Sequence, residues 1–192
     1  MSAEAISTWM HIPQGEWTAD DLDRVPEEVG RCEVLDGVLI VMSPQRKFHS
    51  RVMWRLVSAL DAAAPDGWEA EAEMTIRLNK KNRPEPDVVV VAVSNHEDDY
   101  TRTWYWPPEV LLAVEIVSPD SEGRDRKVKP EKYARAGIPH YWLVDHEKGA
   151  PIVHVFELDT AQGRYVETAV EREHLVLDRP FPMTIEVGRL YR

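Results

Sequence analysis

The chain has 192 residues, 43% of them hydrophobic, and a formal net charge of −11. This is one domain of ordinary size with a real core, and its acidity argues against a protein that coats nucleic acid non-specifically. The longest apolar runs, such as "VVVVAV", are too short to cross a bilayer, and the opening "MSAEAIS" lacks the basic start and apolar core of a secretory leader.

In chain order, residues 18–26 ("TADDLDRVP") predict a short helix capped by Thr18 and stopped by Pro26. Residues 31–42 predict a hairpin, because Asp36-Gly37 is a tight-turn pair between two apolar strands. Cys32, the single cysteine, sits among strand-like neighbours and reads as a small buried side chain. With no internal disulfide possible, a cytoplasmic protein is expected. From Gln45 to about Ala63 the period is helical, with Met53, Leu56, Val57 and Leu60 on one stripe and His49 one turn earlier. Residues 68–78 alternate as one half-buried strand.

The loop "KNRPEP" follows, since Pro84 and Pro86 do not fit a central ladder. Residues 87–93 and 109–118 then read as strands, the second the most buried in the chain. Residues 120–137 predict a helix that stops at Gly137, with Pro130 kinking it or starting a new one. Residues 140–145 are a strand, and the remainder reads as short strands or hairpins. The fold class expected is α/β: a mixed central β-sheet flanked by helices, with additional β-hairpins. Residues 1–30 are read as an N-terminal extension and 31–192 as a single domain.

Two carboxylates carry the chemistry. Glu115 lies inside an apolar strand, where a lone ionised carboxylate costs several kcal/mol. Asp87 opens the preceding strand, and sequential strands often neighbour one another. Two acids projecting from adjacent strands onto one side suit Mg²⁺, which takes one or two carboxylates and keeps its other positions for water or phosphate. Phosphodiester hydrolysis also needs a cation near the reacting phosphate. Period 2 places Ala113, Glu115 and Val117 on one face, so the natural lysine position holds Val117. The following helix offers Lys127, Lys129 and Lys132, and Lys129 shares a stripe with Asp125 and Tyr133. Basic residues gather at 46–51, 80–83 and 124–135. They predict a local phosphate-facing groove built from Arg46, Lys47, Lys80, Lys81, Arg83, Arg124, Arg126 and Lys127.

The segments "CEVLDG", "MSP" followed by His49, "PEPDVVVV", "VEIVSPDS", "DRKVKPEKY" and "AGIPHYWLVD" together resemble the Uma-two family of restriction endonucleases. That family is a branch of the PD-(D/E)XK nuclease superfamily. The resemblance extends over roughly residues 31–146, and the later "PFP" also fits. It implies a restriction-endonuclease-like fold and Mg²⁺- or Mn²⁺-dependent endonuclease cleavage of nucleic acid, with double-stranded DNA the expected substrate. It implies Asp87 and Glu115 as metal ligands and the carbonyl of Ile116 as a further ligand. Lys129 stands where this branch carries its displaced lysine, Glu33 matches its upstream acid, and His49 gains a site role. A homodimer is a family-level expectation.

Other readings stay open at this stage. Glu115 fits a buried ion pair, Asp87 a turn after Pro86, Lys129 a solvated lysine, Glu33 a pair with Arg31, and His49 a core histidine. Tyr133 reads as packing, with its hydroxyl on a site acid. His11, His140, His146 and His154 show no metal-ligand spacing and are read as structural. The "WYW" aromatics fit core or dimer contact, or a stacking platform for bases. At the level of function, the alternatives are a nuclease fold that binds nucleic acid or a partner without cleaving, and a metal-free carboxylate-pair hydrolase.

Overall fold

The computed structural model describes residues 15–94 and 99–192. His11, the opening "MSAEAIS" and the first part of the expected N-terminal extension lie outside them. The first element among the described residues is a 3-10 turn, Ala19–Arg24, where a short helix is expected. Thr18 caps it as predicted: its amide and hydroxyl both donate to Asp21, at 2.8 and 2.6 Å.

A hairpin follows, β1 (Cys32–Leu35) and β2 (Val38–Val41), turning at Asp36 and Gly37, both with positive φ. Helix α1 (Lys47–Ala63) leads to β3 (Trp68–Ala72) and the two-residue β4 (Thr75–Ile76). Next come β5 (Val88–Ala92), the short β6 (Trp104–Tyr105) and β7 (Val110–Ile116). Helix α2 (Lys129–Ala136) precedes β8 (His140–Glu147), β9 (Ala150–Asp159) and β10 (Arg164–Glu171). A last hairpin, β11 (His174–Leu177) and β12 (Met183–Glu186), closes the chain.

The central sheet has the order β10-β9-β8-β7-β5-β3. Only β7 and β8 run parallel within it, because α2 carries the chain back between them. The sheet is therefore mixed, and the α/β architecture with extra hairpins is as expected. Alternation along the strands divides the core into two faces. Val88, Val90, Leu112, Val114 and Ile116 meet the α1 stripe of Val52, Met53, Leu56 and Leu60, and the last hairpin seals this side with Leu175 and Ile185. Val89, Val91, Ala113 and Val117 face Tyr133 of α2 and Tyr141. Glu115 belongs to this second face by the same alternation.

Two elements differ from expectation. The strand read over 68–78 breaks at Glu73, which has φ 58°. Its amide donates to the carbonyl of Asp87 (3.1 Å), and the chain then leaves the sheet so that β4 pairs in parallel with β6. The helix read over 120–137 contains a π turn, Arg124–Val128, ahead of α2. The amide of Lys129 bonds to the carbonyl of Arg124, five residues back. In an unbroken α-helix, Pro130 would press on the carbonyl of Arg126. The wider turn relieves that clash, and single π turns of this kind recur at functional sites. Among the described residues, no helix is long and apolar enough to cross a membrane.

Candidate active site

Asp87 stands immediately before β5 and directly after Pro86. Its amide donates to the carbonyl of Val114 (3.0 Å), and its Oδ2 accepts the amide of Ile116 (2.6 Å). The register pairs Val88 with Val114 and Val89 with Ala113. One step further sets Asp87 beside Glu115, on the face that meets α2. The two acids share one pocket, a cavity of about 350 Å³.

Glu115 is 1% exposed. Its Oε1 accepts the hydroxyl of Tyr133 (2.7 Å) and its Oε2 accepts Lys129 Nζ (2.9 Å). Lys129 is itself buried, and its ammonium also reaches Glu33 Oε2 (3.2 Å), the carbonyl of Glu85 (3.2 Å) and Asp125 Oδ1 (3.7 Å). The stripe of Asp125, Lys129 and Tyr133 thus faces the sheet, and Lys129 reaches over from the helix as the spacing predicts. Glu33 comes from β1 and is fully buried. It accepts the amide of Glu85 (3.2 Å) and lies 3.4 Å from Arg124 Nε. Arg31, two residues earlier on the same side of the chain, gives its guanidinium to Glu85 and Glu73 instead. His49, on α1, places Nε2 3.0 Å from Asp87 Oδ1, while its buried Nδ1 has no partner. His49 therefore joins the site instead of the apolar core.

Charge is crowded here. Glu33, Glu85, Asp87, Glu115 and Asp125 are buried acids, and Lys129, Arg31 and Arg124 are the cations that touch them. Burial raises the carboxyl of Glu115 well above its ordinary range, with Lys129 opposing. Burial pushes Glu85 up to about 7 against the pull of Arg31, and Asp125 up to about 6 against Lys129. Burial works against the charge on Lys129, yet Glu115, Glu33 and Asp125 outweigh it and hold the ammonium protonated. Burial thus favours protons on the acids that have no full cation partner, a place that a cation can take by displacing them. An oxygen-only donor set on Asp87 and Glu115 fits a hard divalent cation. Among the described residues, no three His, Cys, Asp or Glu form a ready ligand cage. Mg²⁺ does not need one, since it uses one or two carboxylates and keeps waters.

Two residues escape the sequence reading. Glu85 and Arg31 both line the pocket, with Arg31 Nε 2.6 Å from Glu85 Oε1. The signal for Glu85 was its place two residues before Asp87, on the same face of an extended segment. Of the expected basic groove, Arg46 and Arg124 line the pocket. Lys47, Lys80 and Lys127 are exposed, Lys81 pairs with Glu16, and Arg126 with Asp145 and Glu122. Arg83 departs from the expectation. It is 2% exposed, and its guanidinium donates to Thr75, Thr103, Asp23 and the carbonyl of Ala19. It ties the N-terminal turn to the β4–β6 pair and presents no free face to a phosphate. His140, His146 and His154 lie away from the pocket, and Arg77 packs over Trp104 and Trp106 at 5.2 and 5.5 Å.

The family model described as "Uma2: Putative restriction endonuclease" matches residues 19–188. A solved structure described as "a putative nuclease belonging to DUF820 from Anabaena variabilis" superposes with a TM-score of 0.69 at 20% identity. The alignment covers 91% of this chain and 97% of that one, and it shows a shared fold. A search of curated proteins finds no match. With the family model spanning nearly the whole chain, this protein belongs to the Uma2 family.

Proposed function

We propose that this chain is a divalent-metal-dependent endonuclease that hydrolyses phosphodiester bonds, with double-stranded DNA as the substrate and Mg²⁺ or Mn²⁺ as the cofactor. The observation that carries the reading is the pairing of Asp87 and Glu115 on adjacent strands, with a buried lysine against Glu115. Asp87, Glu115 and the carbonyl of Ile116 would hold the ion. When bound, such an ion stabilises charge on the phosphate and lowers the pKa of its water.

The chain's own residues supply the rest. Lys129 is a fixed cation beside Glu115, suited to orient the attacking water and support negative charge in the transition state. Tyr133 and Glu33 hold Lys129 and Glu115 in that relation. His49 orients Asp87 through Nε2 and leaves Nδ1 unpartnered inside the pocket. Arg46 and Arg124 on the pocket wall would meet backbone phosphates. Cutting both strands of a duplex calls for two such sites, so the working unit proposed is a homodimer in the cytoplasm.

A second reading, a nuclease fold that binds without cleaving, is favoured by one specific observation. Every oxygen of Asp87 and Glu115 already has an internal donor: His49, Ile116, Tyr133 and Lys129. Incubation of supercoiled plasmid with Mg²⁺ or Mn²⁺ separates the two. Nicking that EDTA abolishes supports the nuclease; retarded but intact plasmid supports the binding module. RNA run in parallel tests the choice of DNA.

A further inference from the structure

We propose that Arg31 fills the place of a second metal ion, so that the site takes one divalent cation per chain. This rests on the metal reading above and concerns its stoichiometry. Two-metal hydrolases set two ions among shared carboxylates. Here, beyond His49 Nε2 at 3.0 Å, the cation that faces Asp87 Oδ1 is a guanidinium. Arg31 presents each of its three nitrogens to a different acid. Nε meets Glu85 Oε1 at 2.6 Å, Nη1 meets Glu73 Oε1 at 2.6 Å, and Nη2 stands 3.9 Å from Asp87 Oδ1.

The surroundings are built to hold a cation at that point. Glu73 sits in the left-handed region at φ 58°, sparsely populated by non-glycine residues. Its carboxylate also accepts Gln45, which fixes it toward Arg31. Glu85 is buried, and Arg31 is the cation that touches its carboxylate. Arg31 enters from just before β1 and lines the pocket beside Asp87. A guanidinium stays charged at every working pH and matches carboxylates through a planar fork. It supplies fixed positive charge on the far side of Asp87 without a second ion being loaded.

Removing that charge should open the position to a metal. The probe is Mn²⁺, titrated calorimetrically into the full-length chain and followed by electron paramagnetic resonance. Wild type should bind one ion per chain with the signal of an isolated Mn²⁺. Arg31→Ala should bind two, with the spin coupling of a Mn²⁺ pair, and Arg31→Lys should bind one. Arg31→Gln keeps the Cβ–Cδ stem and a polar end without the charge, and takes the place of the alanine variant should that variant not fold. Two ions in wild type, or one ion in a folded charge-removed variant, overturns the proposal while leaving the metal reading intact. No binding to wild type at millimolar Mn²⁺ overturns both.

Discussion

Lys129 Nζ lies 2.9 Å from Glu115 Oε2, although the two residues are fourteen positions apart and belong to different elements. Val117, two residues after Glu115, occupies the place on the strand where a lysine would most simply stand, and it is packed into the apolar face against α2. The cation therefore arrives from the helix, at the residue where the π turn gives way to α2. Lys129→Ala should lower cleavage at least about a hundredfold, roughly 2.7 kcal/mol of transition-state stabilisation. It should also destabilise the metal-free fold by about 3 kcal/mol, because Glu115, Glu33 and Asp125 lose their shared partner. Lys127→Ala and Lys132→Ala should leave single-turnover rates near wild type. Lys127 is exposed and Lys132 pairs with Asp36, so neither touches the acids. Normal cleavage by Lys129→Ala would remove the lysine from the mechanism.

The buried acids also set how stability responds to pH. Glu85 titrates near 7 in the fold, against an ordinary value of 4.5, because burial disfavours its charge. The folded chain thus binds this proton more tightly than the unfolded chain does. The stabilisation is fully present below about pH 4.5 and is lost as pH rises through about 7. A change from 4.5 to about 7 corresponds to roughly 3 kcal/mol as an upper bound. Asp125, raised to about 6 by burial, adds in the same direction. Protein stripped with EDTA should therefore melt at a higher temperature at pH 5.5 than at pH 8. Glu85→Gln should flatten that difference, and thermal melts across the two pH values check it. A melting point that rises toward pH 8 would contradict the assignment.

Arg83 and Arg124 should behave differently despite their shared charge. Arg83→Ala breaks four hydrogen-bond partners inside the fold and should destabilise it by about 3 kcal/mol, with little change in the salt slope of duplex binding. Arg124→Ala and Arg46→Ala should weaken binding and each reduce that slope by about one. Filter binding in Ca²⁺ across a salt series, beside chemical denaturation, distinguishes the two kinds of arginine.

Much of this was legible in the sequence. The carboxylate inside an apolar strand, the acid opening the preceding strand, and the helical stripe of Asp125, Lys129 and Tyr133 all follow from period and composition. They meet where those patterns place them. Less legible were residues whose role depends on chain reversal. Arg83 looked like part of a basic loop, but antiparallel contact with Val34 folds that loop under the N-terminal turn. The break at Glu73 was hidden because alternation continues on both sides of it, and only the pairing of β4 with β6 reveals it. Arg31 precedes its strand by one residue and meets acids more than forty positions away, which local patterning does not encode.

Asp87 and Glu115 would jointly hold the ion on which the proposed cleavage of nucleic acid depends. Asp87→Asn and Glu115→Gln keep shape while removing the charge an ion needs, and relief of crowding should leave both variants folded. The direct measurement is Mn²⁺-dependent nicking of supercoiled plasmid by wild type and by each variant, with melting curves confirming the fold. Nicking by wild type, lost by at least about a hundredfold in both variants, is the result expected. Wild-type rates in either folded variant would contradict the account.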